Sequence, residues 1–543
     1  MGLLRRGGFS ALRKLKLAGI LLCAALILAA CGNPDLPLPE AEADPGNVLR
    51  VDVAASFGSL NPLQDVHSGS AIVYPFLHGY LCVPDAGGEL EPDLAEEWLY
   101  DPSRLIWTIR LRKNVRFHDG RPVTAEDVKY SFDEAGRQPH HMVRTALASV
   151  ASITVPAPCI VQFNLHRDDP ELLSKAWGQE IVPAPGEEPA GESCVPIGSG
   201  PFAFDYSQGE GEVGLRAYED YYRGRPSLDR VVFYHVPDRE SSWARLILGK
   251  TDMVREIYPK DYEMIRSHTD LFQFFLGTSP YYIVLLYNTR HPLLSDPGIR
   301  LALSHAIDTS HIIKEILMGM GVAALGPGGV EAPSGNPGVG PVPYDPKRAL
   351  ELLRQAGWAY DERGRYLTRN GRDFEIEILY FRRYQIDERV AEYLQLCFND
   401  IGIKARIRSV PLDILISKYG TNDDFQAVLT EMRGAGGKPE ILRSLWGNGD
   451  GHTAFAGRFN HPDVDRLLEQ ASREADPQKR RELSLQAEAL IASLQPGSFL
   501  FHRVFADVVS IRIALPPSFA FCTAWTHRLW QASVRPLRTD SAR

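Results

Sequence analysis

Phe374-Glu375-Ile376-Glu377-Ile378-Leu379-Tyr380, a stretch running from there to Asn399, and Ile401-Gly402-Ile403-Lys404-Ala405-Arg406-Ile407-Arg408 decide how this chain folds. In the first segment Phe374, Ile376 and Ile378 alternate with Glu375 and Glu377, the period of a strand with one buried face. The middle segment reads as a helix that Gly402 interrupts. In the last, Ile401, Ile403, Ala405 and Ile407 alternate with Lys404, Arg406 and Arg408, a second strand. A strand–helix–strand unit of this length is a right-handed crossover, with parallel strands and the helix across one face. Strands and helices interleave in the same way along the rest of the chain. The expected class is therefore layered α/β, against an all-β or solenoid architecture.

Helix starts are legible on both sides of this unit. Thr124 with Asp127 three residues on makes a capping-box start, with Val128 and Phe132 on one face. Asp296-Pro297, Asp345-Pro346 and Asp476-Pro477 each set an acidic N-cap before a proline at the first helical position. Gly319 and Gly357 are expected just past helix C-termini. Gly321 to Pro343, dense in Gly and Pro, reads as a loop over the surface.

At the N-terminus Arg5, Arg6, Arg13, Lys14 and Lys16 precede an uncharged run from Leu17 to Ala30 that ends at Leu28-Ala29-Ala30-Cys31. Residues 1–30 read as a signal peptide, the run being shorter than the ~20 residues a spanning helix needs. The tetrad resembles the bacterial lipobox, which implies cleavage before Cys31 and lipidation of its thiol, with residues 31–46 as a tether. Removal of five basic residues from 59 leaves 54 against 68 acidic ones, a net charge of −14. So acidic and exported a chain is not expected to bind nucleic acid. Five cysteines remain beyond Cys31: Cys82, Cys159, Cys194, Cys397 and Cys522. Cys159 and Cys194 could pair, but buried free thiols are the expectation for most, since no metal-ligand spacing occurs. About 510 mature residues exceed one core, so two or three subdomains are expected.

From Ser59 to about Arg503 several segments match, in order, the dipeptide/oligopeptide/nickel class of extracellular solute-binding proteins, which this chain resembles. They are Ser59-Leu60-Asn61-Pro62, Gly88 to Trp98, Trp107 through Phe117-His118-Asp119-Gly120 to Val128, Pro196 to Phe202, Asn288-Thr289, Arg300 to Asp308, and Ala349 to Gly357. The resemblance implies a two-lobed periplasmic-binding-protein-like α/β fold with an inserted third subdomain. The corresponding partition is a discontinuous lobe at 47–76, 195–286 and 505–543, an inserted subdomain at 77–194 and a second lobe at 287–504, with chain crossings near Leu286-Tyr287-Asn288-Thr289 and Phe501. It also implies a monomeric binding component that works with an ABC permease and ATPase, captures a small-molecule or peptide ligand by lobe closure, and needs no cofactor. A non-transport sensor or scavenger of the same fold and a secreted hydrolase are the competing readings.

Nothing in the motifs supports catalysis. Gly-x-Ser-x-Gly, His-Glu-x-x-His and P-loop patterns do not occur. His118-Asp119 falls in an Asp-Gly turn and Gly198-Ser199-Gly200-Pro201 reads as a bend between lobes, so neither is expected to be a catalytic or phosphate-binding element. His311 and Glu315 share a helical face as a solvated pair, and His140-His141-Met142 reads first as a loop, with contact to a chelated metal as its functional alternative.

Peptide-binding members of the class hold the ligand amine with an Asp in a Gly-Trp-x-x-Asp-x-x-Asp-Pro segment. This chain has Glu431-Met432-Arg433-Gly434-Ala435-Gly436-Gly437-Lys438-Pro439 there, with Ala435 and Lys438 where the acids would be and Met432 for the Trp. A buried ammonium without a carboxylate costs several kcal/mol, so the segment points to an acidic or neutral ligand. Arg382-Arg383-Tyr384 sits where dipeptide-type members place an arginine against the ligand carboxylate, a contact a guanidinium can make bidentately; the alternative is two solvated arginines at a helix start. Ligand-binding expectations are therefore Arg382, Tyr384, Met432 and Arg433, with Phe57, His67 and His502 added by position.

Overall fold

The computed structural model describes residues 46–65, 69–85, 89–138, 142–185, 195–257, 259–329, 336, 339–382, 385–412, 414–415, 424–436, 438–447, 458–474, 476–515 and 531–534. The chain divides into two units, passing from the first to the second between Val254 and Arg255 and back between Val508 and Val509. Leu286 to Thr289, where a crossing is expected from the sequence, lies inside the second unit.

In the first unit the strands of five or more residues are β1 (Val48–Val53), β2 (Ala95–Asp101), β3 (Ile106–Leu111), β4 (Val150–Ala157), β5 (Ile160–Leu165), β6 (Phe202–Ser207), β7 (Glu212–Ala217), β8 (Arg230–His235) and β9 (Met253–Ile257), along which the chain passes to the second unit. Helix α1 (Ala125–Arg137) follows β3 and α2 (Arg239–Ile247) follows β8. Leu49, Val51 and Val53 alternate into the core, and β1 pairs in parallel with β8 at Val51↔Phe233, giving the order β6-β7-β8-β1-β9. A separate antiparallel sheet runs β2-β3-β5-β4. Val128 and Phe132 of α1 pack with Ile109, Val161 and Phe163 in a core whose buried residues lie between Leu81 and Ile181, with the partly buried Ile197 and Tyr222 against it. The expected capping box is present: the Thr124 amide donates to the Asp127 carboxylate at 2.8 Å, and Asp127 also accepts from the Ala184 amide at 2.8 Å.

The second unit contains β10 (Phe272–Tyr287), α3 (Pro297–His305), α4 (Pro346–Gln355), β11 (Glu375–Tyr380), α5 (Gln385–Asp400), β12 (Lys404–Ser409), β13 (Ala427–Arg433), α6 (Pro439–Trp446), α7 (Pro462–Arg473), α8 (Pro477–Leu494) and β14 (Gly497–Ser510). Strand order is β14-β10-β13-β11-β12, and β11 and β12 are parallel at Ile376↔Ala405 and Ile378↔Ile407 with α5 between them in sequence. Asp296, Asp345 and Asp476 cap α3, α4 and α8 through their carboxylates. Gly319 and Gly357 take φ +81° and +86° beyond helical stretches, a backbone that side chains disfavour.

Tyr281-Tyr282-Ile283-Val284-Leu285-Leu286-Tyr287 shows no polar alternation because β10 is covered on both faces. Ile283, Leu285 and Tyr287 join a core with Leu303, Leu353 and Leu394 from α3, α4 and α5. Tyr282, Val284 and Leu286 join another with Trp446, Leu468 and Ile491 from α6, α7 and α8. The Gly/Pro-rich segment differs from expectation at its start: Gly321–Ala323 forms a short strand paired with Phe501–Arg503 of β14.

Candidate functional site

Strands β11 and β13 are parallel neighbours with Tyr380 opposite Leu429, so both deliver their C-terminal ends to one edge of the second unit. Arg382 leaves β11 there and Arg433 ends β13 there. Strand β10 runs antiparallel to β13 and places Tyr281 opposite Arg433. Side chains just beyond the carboxyl ends of parallel strands form the usual ligand edge of an open α/β sheet. Arg433 is exposed, Tyr281 keeps 44% of its surface and Lys438 is exposed at the N-cap of α6. Arg382 is exposed and pairs with Glu388, in the first turns of α5, at 3.2 Å. The edge is thus basic, with an acidic helix start beside one of its arginines.

Behind this edge the backbone of 434–436 is pinned on two sides. The Gly434 amide donates to the Pro280 carbonyl at 2.8 Å, Ala435 to Pro327 at 3.2 Å and Gly436 to Gly328 at 2.8 Å. Gly434 and Gly329 touch back to back: a Cβ on Gly434 would stand 2.8 Å from the Gly329 Cα. These three amides are spent on the protein and leave recognition to side chains. Ala435 is fully buried, and Met432 packs with Tyr282 and Trp446 in the apolar core.

His502 is also fully buried. Its Nδ1 lies 2.9 Å from the Ser279 carbonyl, which accepts from it, and its ring meets Tyr282 edge-on at 5.7 Å. Burial holds the imidazole below its ordinary range, so it is a neutral strut behind the edge. Phe57 is buried in the first unit. Tyr384 and His67 lie outside the described residues, as do Arg383 and Cys31. Sequence reasoning missed Tyr281 and Arg503, the latter paired through Nη2 with Asp387 of α5. Tyr281 stands where β10 passes from a partly exposed first half to Tyr282–Tyr287, buried on both faces, a change with no local signature.

His118 and Asp119 part company, His118 Nε2 meeting the Gly200 carbonyl at 3.0 Å and Asp119 pairing with Arg121 at 2.7 Å. Gly120, at φ +88°, closes the expected turn. Gly198-Ser199-Gly200 lies wholly in the first unit, where Cβ atoms on either glycine would collide with the Phe76–His78 backbone; the segment is a packing element there. His311 stacks on Tyr393 with ring centroids 4.5 Å apart. His140, His141 and Cys194 are outside the described residues, while Cys82, Cys159 and Cys397 are free thiols. No group of three or more His, Cys, Asp or Glu that could hold a metal occurs among the described residues, and no described helix is long and apolar enough to cross a membrane.

The sheet topology and its basic edge define an α/β ligand-binding protein. Residues 89–453 match the bacterial extracellular solute-binding proteins, family 5, and the chain belongs to that family. It is 25% identical over 547 residues to heme-binding protein A of Haemophilus influenzae, covering 92% of this chain and 96% of that protein. It is 25% identical over 525 residues to the oligopeptide-binding protein AppA of Bacillus subtilis, covering 90% and 93%. Among solved structures, NikA from Brucella suis in complex with Fe(III)-EDTA superposes with a TM-score of 0.80 at 21% identity, covering 90% of this chain and all of that one.

Proposed function

We propose that this chain is the exported, lipid-anchored capture component of an ABC importer, and that its ligand is an acidic or neutral small molecule oriented by Arg382 rather than a peptide held by its free amine. The binding role rests on the family. The ligand class rests on one observation: across 432–438 the position expected to carry an amine-binding acid is a fully buried alanine, and the exposed charged groups beside it are Arg433 and Lys438. Relatives named for heme and for oligopeptides carry the fold without fixing the ligand here. The binding role is not accompanied by catalysis, and a permease and an ATPase are the partners. Within the first unit, a core whose buried residues all lie between Leu81 and Ile181 supports reading 77–194 as an inserted subdomain.

Native mass spectrometry of the purified protein identifies the ligand that travels with it. A carboxylate ligand found this way should lose about 2–5 kcal/mol of calorimetric binding energy on Arg382→Ala if the contact is buried in the complex. A mixture of free di- to pentapeptides should bind weakly. Submicromolar peptide binding that amine acetylation abolishes and Arg382→Ala leaves untouched would reverse this reading. The lipid anchor is tested separately: a fatty-acid probe should label the wild type and spare Cys31→Ser, and equal labelling of both would remove it.

A further inference from the structure

Glu488 of α8 is 2% exposed, and its carboxyl group lies against the backbone that grips the 434–436 segment. A Cβ on Gly328 would stand 2.7 Å from both of its oxygens. The same Gly328 offers its carbonyl to the Gly436 amide, the preceding Pro327 carbonyl takes the Ala435 amide, and the following Gly329 touches Gly434. Asn336 hydrogen-bonds the carboxyl group and ties itself back to α8 through Nδ2 on the Leu485 carbonyl at 2.6 Å. Oε1 of Glu488 makes no hydrogen bond to a described residue. The ionisable groups that act with it are Arg481, two turns earlier on the same helix, and Tyr282 on β10, while His502 stands on the far side of Gly329.

We infer that Glu488 is a positioning residue for the ligand-facing segment: its neutral carboxyl group lets Pro327–Gly329 clamp residues 434–436, and its ionisation loosens that clamp. The reason is solvation. A buried carboxylate with one amide hydrogen bond and, among the described residues, no cation in ion-pair contact is strongly disfavoured, so charge at this point is relieved by moving the glycine backbone away and admitting water. Burial, acting against Asn336 and Arg481, raises the group from 4.5 to about 7, which puts the transition near neutrality. The clamp is favoured most at low pH; the opened form, where the group titrates normally, gains as the pH rises from 4.5 to about 7 and no further beyond it. The link to ligand recognition rests on the function proposed above, whereas the clamp itself does not.

Hydrogen exchange of the ligand-free full chain, read by mass spectrometry on the peptide covering 433–438 and corrected for intrinsic base catalysis, tests the clamp. Protection in the wild type should fall about tenfold between pH 6 and pH 8.5, the change expected when one carboxyl group titrates normally in the open form and near 7 in the closed one. Glu488→Gln should flatten that dependence to under about twofold, and Glu488→Met, an apolar replacement of similar length, should do the same. A flat wild-type profile, or the same slope in all three proteins, overturns the inference. The exchange response with a ligand that proves to be a peptide bound by its amine would uphold the clamp while removing the ligand class.

Discussion

Glu180 shows in the first unit what burial does to an acid that has a single good partner. The Tyr80 hydroxyl donates to its Oε1 at 3.1 Å, yet burial dominates and raises the carboxyl group from 4.5 to about 7. The folded state therefore holds a proton that the unfolded chain has already released above 4.5. Stability from this group is whole below that pH, declines as the pH rises towards 7 and is constant at its lower value beyond. Glu180→Gln keeps an acceptor for Tyr80 and removes the titration. In urea unfolding at pH 4.5 and pH 8, the wild type should lose on the order of 3 kcal/mol relative to this variant. Equal changes in both proteins would show that the proton on Glu180 is not linked to folding. A glutamate on a two-residue strand gives no sign of this in sequence, because its hydrogen-bonding partner lies 100 positions away.

The elements divide between those written locally and those imposed from a distance. Capping aspartates, the C-terminal glycines and the crossover from β11 through α5 to β12 were legible because each depends on neighbours within a few residues or on one period of apolar side chains. The basic edge was half legible. Arg382 and Arg433 stood out by position in a family pattern, but Tyr281 reaches the edge only through the register of β10 against β13. Met432 read as ligand-facing and the structure sets it in the core, since its strand is buried on that face. The glycine contact behind the edge was equally silent. Gly434→Ala drives a methyl group into the Gly329 backbone and should destabilise the protein by about 1–3 kcal/mol in denaturant unfolding. Gly329→Ala meets the same contact from the other side, at φ +72°, and the pair together should cost less than the sum of the two. Strict additivity would mean that the two glycines do not share one constraint.

At the scale of the whole molecule, the first unit is discontinuous in sequence, and among the described residues the second is a single run from Arg255 to Val508. The return of the chain is fastened by ion pairs. Asp252, 1% exposed, accepts from Arg50 at 3.2 Å and from Arg512 Nη2 at 2.6 Å, and the Arg512 guanidinium also reaches the Val48 carbonyl at 2.7 Å. Asp52 is held in parallel by Arg245 of α2 at 3.0 Å. The two aspartates differ in when they can be satisfied. Arg245 leaves the ribosome 193 residues after Asp52, but Arg512 follows Asp252 by 260 residues, after every residue of the run from Arg255 to Val508. Until Arg512 is made, β1 and Asp252 wait with a buried charge only partly compensated, while the run from Arg255 to Val508 has already been made. A helper that shields nascent segments would find its longest-lived client in the amino-terminal half of this protein.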